Sequence, residues 1–318
     1  MITHPGYTVE PWCLRETGLD LEVIAQSESL FALSNGHVGW RGNLDEGEPH
    51  GLPGCYLNGV YESHRLPYAE AGYGYPEAGQ TVINVTNAKL VRLLVDDEAF
   101  DVRYGRLVAH ERVLDFRGGQ LRREVEWVSP GAKGVRVRSS RLVSLVQRSV
   151  AAICYDVEAL EQTVRVVLQS ELVANEPLPS GGGGDFRKSA ALLAPLVCEE
   201  HTCGGTGASL LHHTAQSGLR LGVAMEHHID APPSMQVSSE SMPDLGRVTI
   251  TATLEPGQRL RVIKFVAYGW SAARSQPAVR DQVAAALAGG SVGLGRAYRR
   301  TADVSRRFLG RCRCRGRG

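Results

Sequence analysis

Three acidic residues lie within four positions of a glycine-rich stretch, residues 29–62, SLFALSNGHVGWRGNLDEGEPHGLPGCYLNGVYE. Asp45, Glu46 and Glu48 carry the carboxylates that a glycosidase would need as acid, base or nucleophile. That chemistry requires two carboxylates on opposite sides of a sugar, roughly 5–10 Å apart. Acids this close in a glycine-rich turn point in unrelated directions. We therefore expect them to be solvated, not to form a catalytic pair.

Nucleotide and metal chemistry are disfavoured by the spacing of the relevant residues. The stretch contains neither G-x-x-x-x-G-K-[ST] nor the G-x-G-x-x-G of a dinucleotide-binding turn. Cys198 and Cys203 flank His201, but no second Cys/His pair follows at a fitting spacing, so we predict reduced thiols and no metal site. The doublets at 212–213 and 227–228 fall on predicted strands, where neighbours face opposite ways, so one histidine of each pair should be packed and one exposed.

Aromatic rings interleaved with polar groups suit a sugar better. Rings stack on the apolar faces of sugars, and amide or guanidinium groups bind hydroxyls. The alternative is that the same rings pack the segment onto a core. The residues concerned are Trp40, Tyr56, Tyr61, Tyr68, Tyr73 and Tyr75, with Asn35, Arg41, Asn43 and Asn58 among them.

The elements that position these residues are predicted to be strands. Residues 81–175 and 208–268 contain apolar or alternating runs rich in Val, Ile, Thr and Leu, with Gly, Pro, Asp and Ser between them. Many strands without intervening helices favour an antiparallel β-sandwich over a parallel α/β fold. We expect residues 175–189 to form a linker-like insertion and residues 230–244 to form a polar loop.

Composition excludes several classes of protein. The 318 residues are 43% hydrophobic and carry a net charge of +1, which is typical of a globular chain without a nucleic-acid or membrane surface. The N-terminus lacks the basic and apolar regions of a secretory signal, so we expect a cytoplasmic protein. Seven scattered cysteines argue against a disulfide framework.

The end of the chain changes character. Pro277, an Ala/Leu body and two glycines predict a helix over residues 277–290. Residues 291–318 then become rich in arginine, which a basic nucleic-acid arm would explain. A one-base shift of suitable codons turns this tail into YLDDFWDGADVEVE, an ordinary helix and strand sequence. We therefore expect a frameshifted, disordered tail, which genomic sequence from residue 290 onward would test.

These motifs together resemble glycoside hydrolase family 65, the maltose, trehalose and kojibiose phosphorylases and related α-glucoside hydrolases. The family's E-S-x-F-x-L-x-N-G is matched at 28–36, its G-x-R-G at 39–42 and its P-G-x-Y-x-x-G-V-Y at 53–61. INVTNAKLVRLLVDDEAFD (83–101) and LDFRGGQLRREVEW (114–127) are similar to two further motifs. The resemblance runs from about residue 7 to about residue 288.

The resemblance implies a galactose-mutarotase-like β-supersandwich over residues 1–270, a linker helix over 271–290 and the tail over 291–318. The family's catalytic (α/α)6 barrel is not matched, so no catalytic residue is assigned and no turnover is expected from this chain alone. The parent reaction would be inverting attack on an α-glucosidic disaccharide by phosphate or water, with inorganic phosphate as co-substrate and no other cofactor. The resemblance places contacts to the substrate or to the barrel at Asn35, Arg41, Asp45 and Tyr56.

Three functional interpretations remain open at this stage. The chain is the sandwich domain of a larger enzyme, or a free carbohydrate-binding module for α-glucosides, or an assembly piece that pairs with a separately encoded barrel. A homodimer is compatible with each of them. If the sandwich normally packs on a barrel, it should expose an apolar face when alone.

Overall fold

The computed structural model describes residues 6–66, 73–74, 76–177 and 193–291. Twenty strands and two helices lie within these ranges. The helices are α1 Ile24–Leu30 and α2, residues 276–291. The strands are β1 Tyr7–Glu10, β2 Cys13–Thr17, β3 Leu33–Ser34, β4 Val38–Trp40, β5 Cys55–Leu57, β6 Tyr61–Arg65, β7 Ala78–Val82, β8 Val91–Val95, β9 Glu98–Ala99, β10 Arg106–Asp115, β11 Gln120–Val128, β12 Gly134–Val143, β13 Val150–Ala159, β14 Val164–Val173, β15 Leu196–Gly204, β16 Gly207–Thr214, β17 Arg220–Asp230, β18 Gln236–Met242, β19 Leu245–Leu254 and β20 Arg259–Ser271.

Two antiparallel sheets form the body of the domain. The large sheet has ten strands in the order β1-β2-β10-β11-β12-β13-β20-β17-β16-β15, and the small sheet has five in the order β18-β19-β14-β8-β9. Strand β20, the last strand of the described residues, lies between β13 and β17 and joins the two halves of the large sheet.

The hydrophobic core lies between the two sheets. Strand β12 alternates perfectly between buried and half-buried positions, because successive side chains of a strand point to opposite faces. Val125 and Val137 of the large sheet and Val166 and Ile250 of the small sheet belong to one continuous buried cluster. This arrangement confirms the predicted antiparallel sandwich.

Helix α2 covers part of the outer face of the large sheet. Val283 and Leu287 belong to a second, smaller buried cluster with Val150 and Phe265. The helix approaches the sheet closely where Gly222 has no side chain, since a Cβ there would lie 3.0 Å from Val283 Cγ2. The helix predicted for residues 277–290 is therefore confirmed.

One predicted loop is wrong. Residues 236–242, inside the polar loop expected over 230–244, form strand β18 at the edge of the small sheet. Exposed and half-buried positions alternate there, but the half-buried ones are Val237, Ser239 and Ser241, so the inward face carries only one apolar residue to mark the period of two. Residues 178–189 of the expected insertion and residues 292–318 of the expected tail lie outside the described residues. Within the described ranges, no helix combines the length and apolar character that crossing a membrane requires.

The burial of the histidine doublets follows from their positions on strands. His227 is buried and His228 is exposed, as predicted, whereas in the other doublet His212 is buried and His213 is only half-buried. His212 Nε2 lies 3.0 Å from Asp244 Oδ1. No group of three or more metal-ligating side chains is found in the part of the chain that the structure describes.

Candidate functional site

The segment over residues 28–62, here called the signature segment, contains helix α1 from Glu28 onward and strands β3, β4 and β5. Strands β3, β4 and β5 form a small three-stranded sheet, and β5 is tied to the following chain by the bond from Val85 N to Cys55 O, 2.9 Å. Charged residues of the large sheet, together with Lys89 just before β8, bind the segment's side chains and backbone carbonyls. The rest of the fold therefore holds the signature segment in place.

The three neighbouring acids have different environments. Asp45 is 1% exposed and Glu46 is 5% exposed, so the expectation that they are solvated is wrong. Only Glu48 is solvated: its side chain is 54% exposed and pairs with Arg103 at 2.8 Å. The difference arises because Asp45 and Glu46 lie against inward-facing polar residues of the large sheet, which supply partners that no local pattern reveals.

Asp45 is the centre of a buried ion cluster. Its carboxylate accepts hydrogen bonds from Ser139 Oγ at 2.6 Å, Arg141 Nε at 2.7 Å and Arg123 Nη1 at 3.3 Å. Burial alone would raise the pKa of Asp45, but the charges of Arg141 and Arg123 and the bond from Ser139 outweigh it and hold the pKa below its usual range. The residue is thus an ionised structural carboxylate.

Glu46 completes the same cluster from the other side. Arg123 Nη1 donates to Glu46 Oε2 at 2.7 Å, and the Tyr155 hydroxyl donates to Oε1 at 2.8 Å. Burial raises the pKa of Glu46, and the neighbouring charge of Asp45 raises it further, against the opposing attraction of Arg123. Both acids are engaged by protein groups and enclosed, so neither can contact a sugar in this arrangement.

Glu28 and Arg41 clamp the segment onto helix α1. The Glu28 carboxylate is fully buried and accepts the backbone N–H of Gly51 at 3.0 Å and of Leu52 at 3.4 Å. Arg41 Nη2 donates to Glu28 Oε2 at 3.3 Å and to Ala25 O at 2.7 Å. Arg41, predicted as a substrate or barrel contact, is therefore committed to holding the loop.

Two further buried cations bind the segment's backbone. Arg112 Nη1 donates to Gly42 O at 2.8 Å while its Nε donates to Glu16 at 2.6 Å. Lys89 Nζ donates to Pro53 O at 2.7 Å and lies in the core, where burial lowers its pKa to about 8. Each cation fixes a carbonyl that would otherwise be buried without a partner, a situation that costs about 1–3 kcal/mol.

Asn35 joins the segment to the turn between β12 and β13. Its side-chain Nδ2 donates to Ser144 O at 2.6 Å and to Arg148 O at 2.9 Å. Its Oδ1 accepts the backbone N–H groups of His37 at 2.9 Å and Val38 at 2.8 Å. All of these bonds are internal, so Asn35 sets the position of a turn at one end of the large sheet.

The aromatic residues of the segment divide between core and surface. Trp40 is 2% exposed and packs edge-on against Tyr268 at 6.5 Å between ring centroids, so it is a core residue and not a platform for a sugar. Tyr56 is half-buried on β5, where burial raises its pKa. Tyr73 is fully exposed. Tyr68 and Tyr75 lie outside the described residues.

The four predicted contact residues do not form one open site. Asp45 is inside the ion cluster, Asn35 holds the β12–β13 turn, and Arg41 clamps the loop. Tyr56 is half-buried on the strand that pairs with β4, and Asn35 and Arg41 are half-buried as well, so only Asp45 is fully enclosed. Whether any of them contacts a substrate stays a prediction.

The buried partners of the segment were not predicted, although the sequence carries a signal for them. In β11, Arg123 alternates in phase with Leu121, Val125 and Trp127, and this phase is the inward one. Lys264 of β20 likewise falls on the buried face, where its Nζ donates to Glu171 O at 2.7 Å. A charged residue in the apolar phase of a strand therefore indicates a buried partner elsewhere in the chain.

Comparison with known proteins agrees with these features. The sequence model described as "Glycosyl hydrolase family 65, N-terminal domain" matches residues 14–300. An uncharacterized glycosyl hydrolase of Mycobacterium tuberculosis is 58% identical over 289 residues, which is 91% of this chain and 37% of that protein. The α,α-trehalose phosphorylase of Thermoanaerobacter brockii is 30% identical over 269 residues, 83% of this chain and 35% of the enzyme.

A solved structure shows the same fold. A putative kojibiose phosphorylase from the human microbiome superposes with a TM-score of 0.77 at 20% identity, covering 90% of this chain and 36% of that one. The chain thus spans little more than a third of the length of these relatives. With the family model covering most of its residues, the chain belongs to glycosyl hydrolase family 65 and corresponds to the N-terminal domain of that family.

Proposed function

We propose that this chain is the N-terminal domain of an enzyme that attacks α-glucosidic disaccharides with inversion, by phosphate or by water, and that it has no turnover alone. The observation that carries the proposal is the enclosure of Asp45 and Glu46, the only acids that the signature segment places side by side. Inverting hydrolysis needs an acid and a base separated by about 6.5–9.5 Å across the substrate, and these two share a buried cluster instead.

A surface pocket does not supply the missing acids. A cavity of about 560 Å³ is lined by Glu158, Asp230 and Arg259 together with two prolines and small residues. The Glu158 carboxylate is already bound by Arg138 Nη1 at 3.0 Å and by Arg136 Nη1 at 3.3 Å. The lining residues also include no aromatic ring on which a sugar could stack.

In the proposed enzyme, the general acid and the site that receives phosphate or water belong to the part of the protein beyond the region matched here. The N-terminal domain would supply a rigid wall beside them, because the ion cluster and the clamp hold the signature segment in one conformation. We propose a cytoplasmic location and inorganic phosphate as co-substrate.

The proposal can be tested by comparing disaccharide turnover by the purified chain with turnover by a chimera. The chimera carries residues 1–291 of this chain in place of the matching region of the Mycobacterium tuberculosis relative. We expect glucose 1-phosphate, or glucose in phosphate-free buffer, from the chimera with maltose, trehalose or kojibiose, and only the blank rate from the chain. Turnover by the 318-residue chain above the blank would contradict the proposal.

A carbohydrate-binding module is the second candidate, favoured by the half-buried Tyr56 ring near the Arg41 guanidinium. A stand-alone binder should show saturable heat on calorimetric titration with maltose or trehalose, and Tyr56→Ala should abolish it. A flat titration with folded protein would eliminate this candidate and leave the first unaffected.

A further inference from the structure

Three hairpin turns lie side by side at one end of the large sheet. They connect β1 to β2 (residues 11–12), β10 to β11 (116–119) and β12 to β13 (144–149). The strand register places them together, since Cys13 pairs with Asp115 and Gln120 pairs with Leu142. Successive turns are two strands apart, so they are spaced by about 10 Å.

Each of these turns exposes large apolar side chains. Trp12 and Phe116 are each 58% exposed, Leu145 is 74% exposed and Val146 is 93% exposed. The first two turns are in contact, because Phe116 N donates to Trp12 O at 2.9 Å. We call these four residues the apolar rim. A row of apolar hairpin tips about 20 Å long is unusual on a free surface, where turns are built from polar residues.

Helix α2 brings the chain to the same end of the sheet. It crosses β17 and β20, where Val283 lies over Gly269, and its last described turn lies above the start of β13. A Cβ on Gly290 would lie 2.6 Å from Val150 Cγ1, and one on Gly289 would lie 3.6 Å from Gln147 Nε2. The last described turn of the helix is therefore beside the β12–β13 turn, which carries half of the apolar rim.

The signature segment reaches this end as well. Asn35 binds the carbonyls of Ser144 and Arg148, as described above. Gly59 follows β5 with φ +87°, and a Cβ there would lie 2.6 Å from Trp270 Cζ2 near the end of β20. Three elements therefore lie at the same end of the large sheet: the hairpin turns, the signature segment and the last described turn of α2.

The charge at this end is basic. Arg117 is exposed and its guanidinium lies 5.3 Å from the centre of the Trp12 ring, and Arg148 is exposed next to Val146. The acid of the β10–β11 turn, Asp115, is already engaged by Arg122 at 3.2 Å and by the Gly118 N–H at 2.9 Å. A complementary partner would present apolar residues surrounded by carboxylates.

We propose that the apolar rim is the docking surface for the domain that follows the matched region in the longer relatives. The inference rests on the proposed function, since it assumes that such a domain accompanies this one. More than half of each relative lies outside the match, and the described chain arrives beside the rim at residue 291. A following domain is therefore delivered to this end of the sheet, where Arg117 and Arg148 meet its acidic groups.

Hydroxyl-radical footprinting compares the rim in the 318-residue chain and in the chimera described above. We expect Trp12, Phe116, Leu145 and Val146 to be oxidised at least ten times more slowly in the chimera. Val82 on β7 and Met242 on β18, which are 62% and 50% exposed, serve as internal controls and should react equally in both proteins. Equal reactivity of the rim in both proteins would overturn the proposal. Rim protection that grows with the concentration of the free chain would assign the surface to a second copy and overturn it too.

A second measurement compares rim variants of the chimera and of the 318-residue chain by thermal unfolding. Leu145→Ser combined with Val146→Ser should lower the Tm of the chimera, where the rim is covered, and leave the Tm of the chain nearly unchanged, because both side chains are exposed there. Val82→Ser should leave both Tm values unchanged. An equal effect of the double variant on both proteins would overturn the rim as a docking surface. A chimera that protects the rim without turning over any disaccharide would contradict the proposed activity and leave the docking surface intact.

Discussion

Replacement of Asp45 by Asn tests whether the signature acids are structural. The amide keeps the shape of the side chain but removes the charge that Arg141 and Arg123 face in the core. Removing one partner of a buried ion pair leaves an uncompensated charge and costs about 3–5 kcal/mol of unfolding free energy. Glu48→Gln is the matched control, because its exposed pair with Arg103 should contribute less than about 1 kcal/mol.

The two variants can be compared by urea unfolding at pH 7, followed by the fluorescence of the core tryptophans Trp40 and Trp127. For a domain of this size, about 4 kcal/mol corresponds to a fall in Tm of roughly 6–7 °C in a thermal scan. Because the pKa of Asp45 is held below its usual range, its contribution is present above the unfolded-state pKa of about 3.9 and is lost as the pH falls through the lower folded-state value. The difference between wild type and Asp45→Asn should therefore narrow only in acid.

A double variant separates a lost charge from a lost contact. Arg141→Met combined with Asp45→Asn removes both members of the pair, so it should destabilise the domain less than the sum of the single changes by about 1–3 kcal/mol. If Asp45→Asn stays within about 1 kcal/mol of Glu48→Gln, or if the two changes add, Asp45 is not held as an ionised partner of Arg141 and the reasoning fails.

Three further outcomes follow from the buried groups. Burial lowers the pKa of Lys264 to about 7, so above that pH the unfolded chain binds more protons than the folded chain. Between pH 7 and 10 the free energy of unfolding of the wild type should therefore rise by about 3 kcal/mol relative to that of Lys264→Met. Parallel pH profiles of the two proteins would refute this. Gly54→Ala should lower the free energy of unfolding by about 2–4 kcal/mol, because a Cβ there would lie 2.0 Å from Arg41 Cδ. Gly119→Ala is the control, since Gly119 has nearly the same φ, +60°, but open space around it, and it should cost about 1 kcal/mol. Equal costs would show that no clash occurs at Gly54. Glu28→Ala should cost about 2–3 kcal/mol and speed hydrogen exchange of the two amides it accepts, measured by NMR, and unchanged exchange would contradict its role as a clamp.

The sandwich could be predicted because its strands carry a period of two. LRREVEWV and VRVRSSRLV alternate over lengths that only a strand face explains, and they form β11 and β12. Strand β18 was missed because its sequence, QVSSESM, places only one apolar residue, Val237, on the inward face. The order of strands in the large sheet was also beyond reach, since β20 pairs with β13 over a separation of about 100 residues and local patterns contain no information on such a pairing.

The candidate site shows the same division between local and distant information. The acids, glycines and rings of the signature segment are visible in one stretch of sequence, but their environments depend on residues far along the chain. Asp45 and Glu48 look equivalent from their neighbours, and they differ only because Arg141 reaches one and Arg103 the other. The inward phase of Arg123 and Lys264 was the available signal, and it predicts burial without identifying the partner.

The insertion of β20 between β13 and β17 has a consequence for synthesis of the protein. When β13 leaves the ribosome, one of its edges has no partner until residues 259–271 follow, about 100 residues later. At about 5–20 residues per second, that edge stays open for roughly 5–20 s. Any nascent chain cut short before residue 259 would keep the free edges of β13 and β17, and unpaired edges recruit other chains. The large sheet can close only after its last strand has been made, so truncated products of this domain should aggregate rather than persist as smaller folded units.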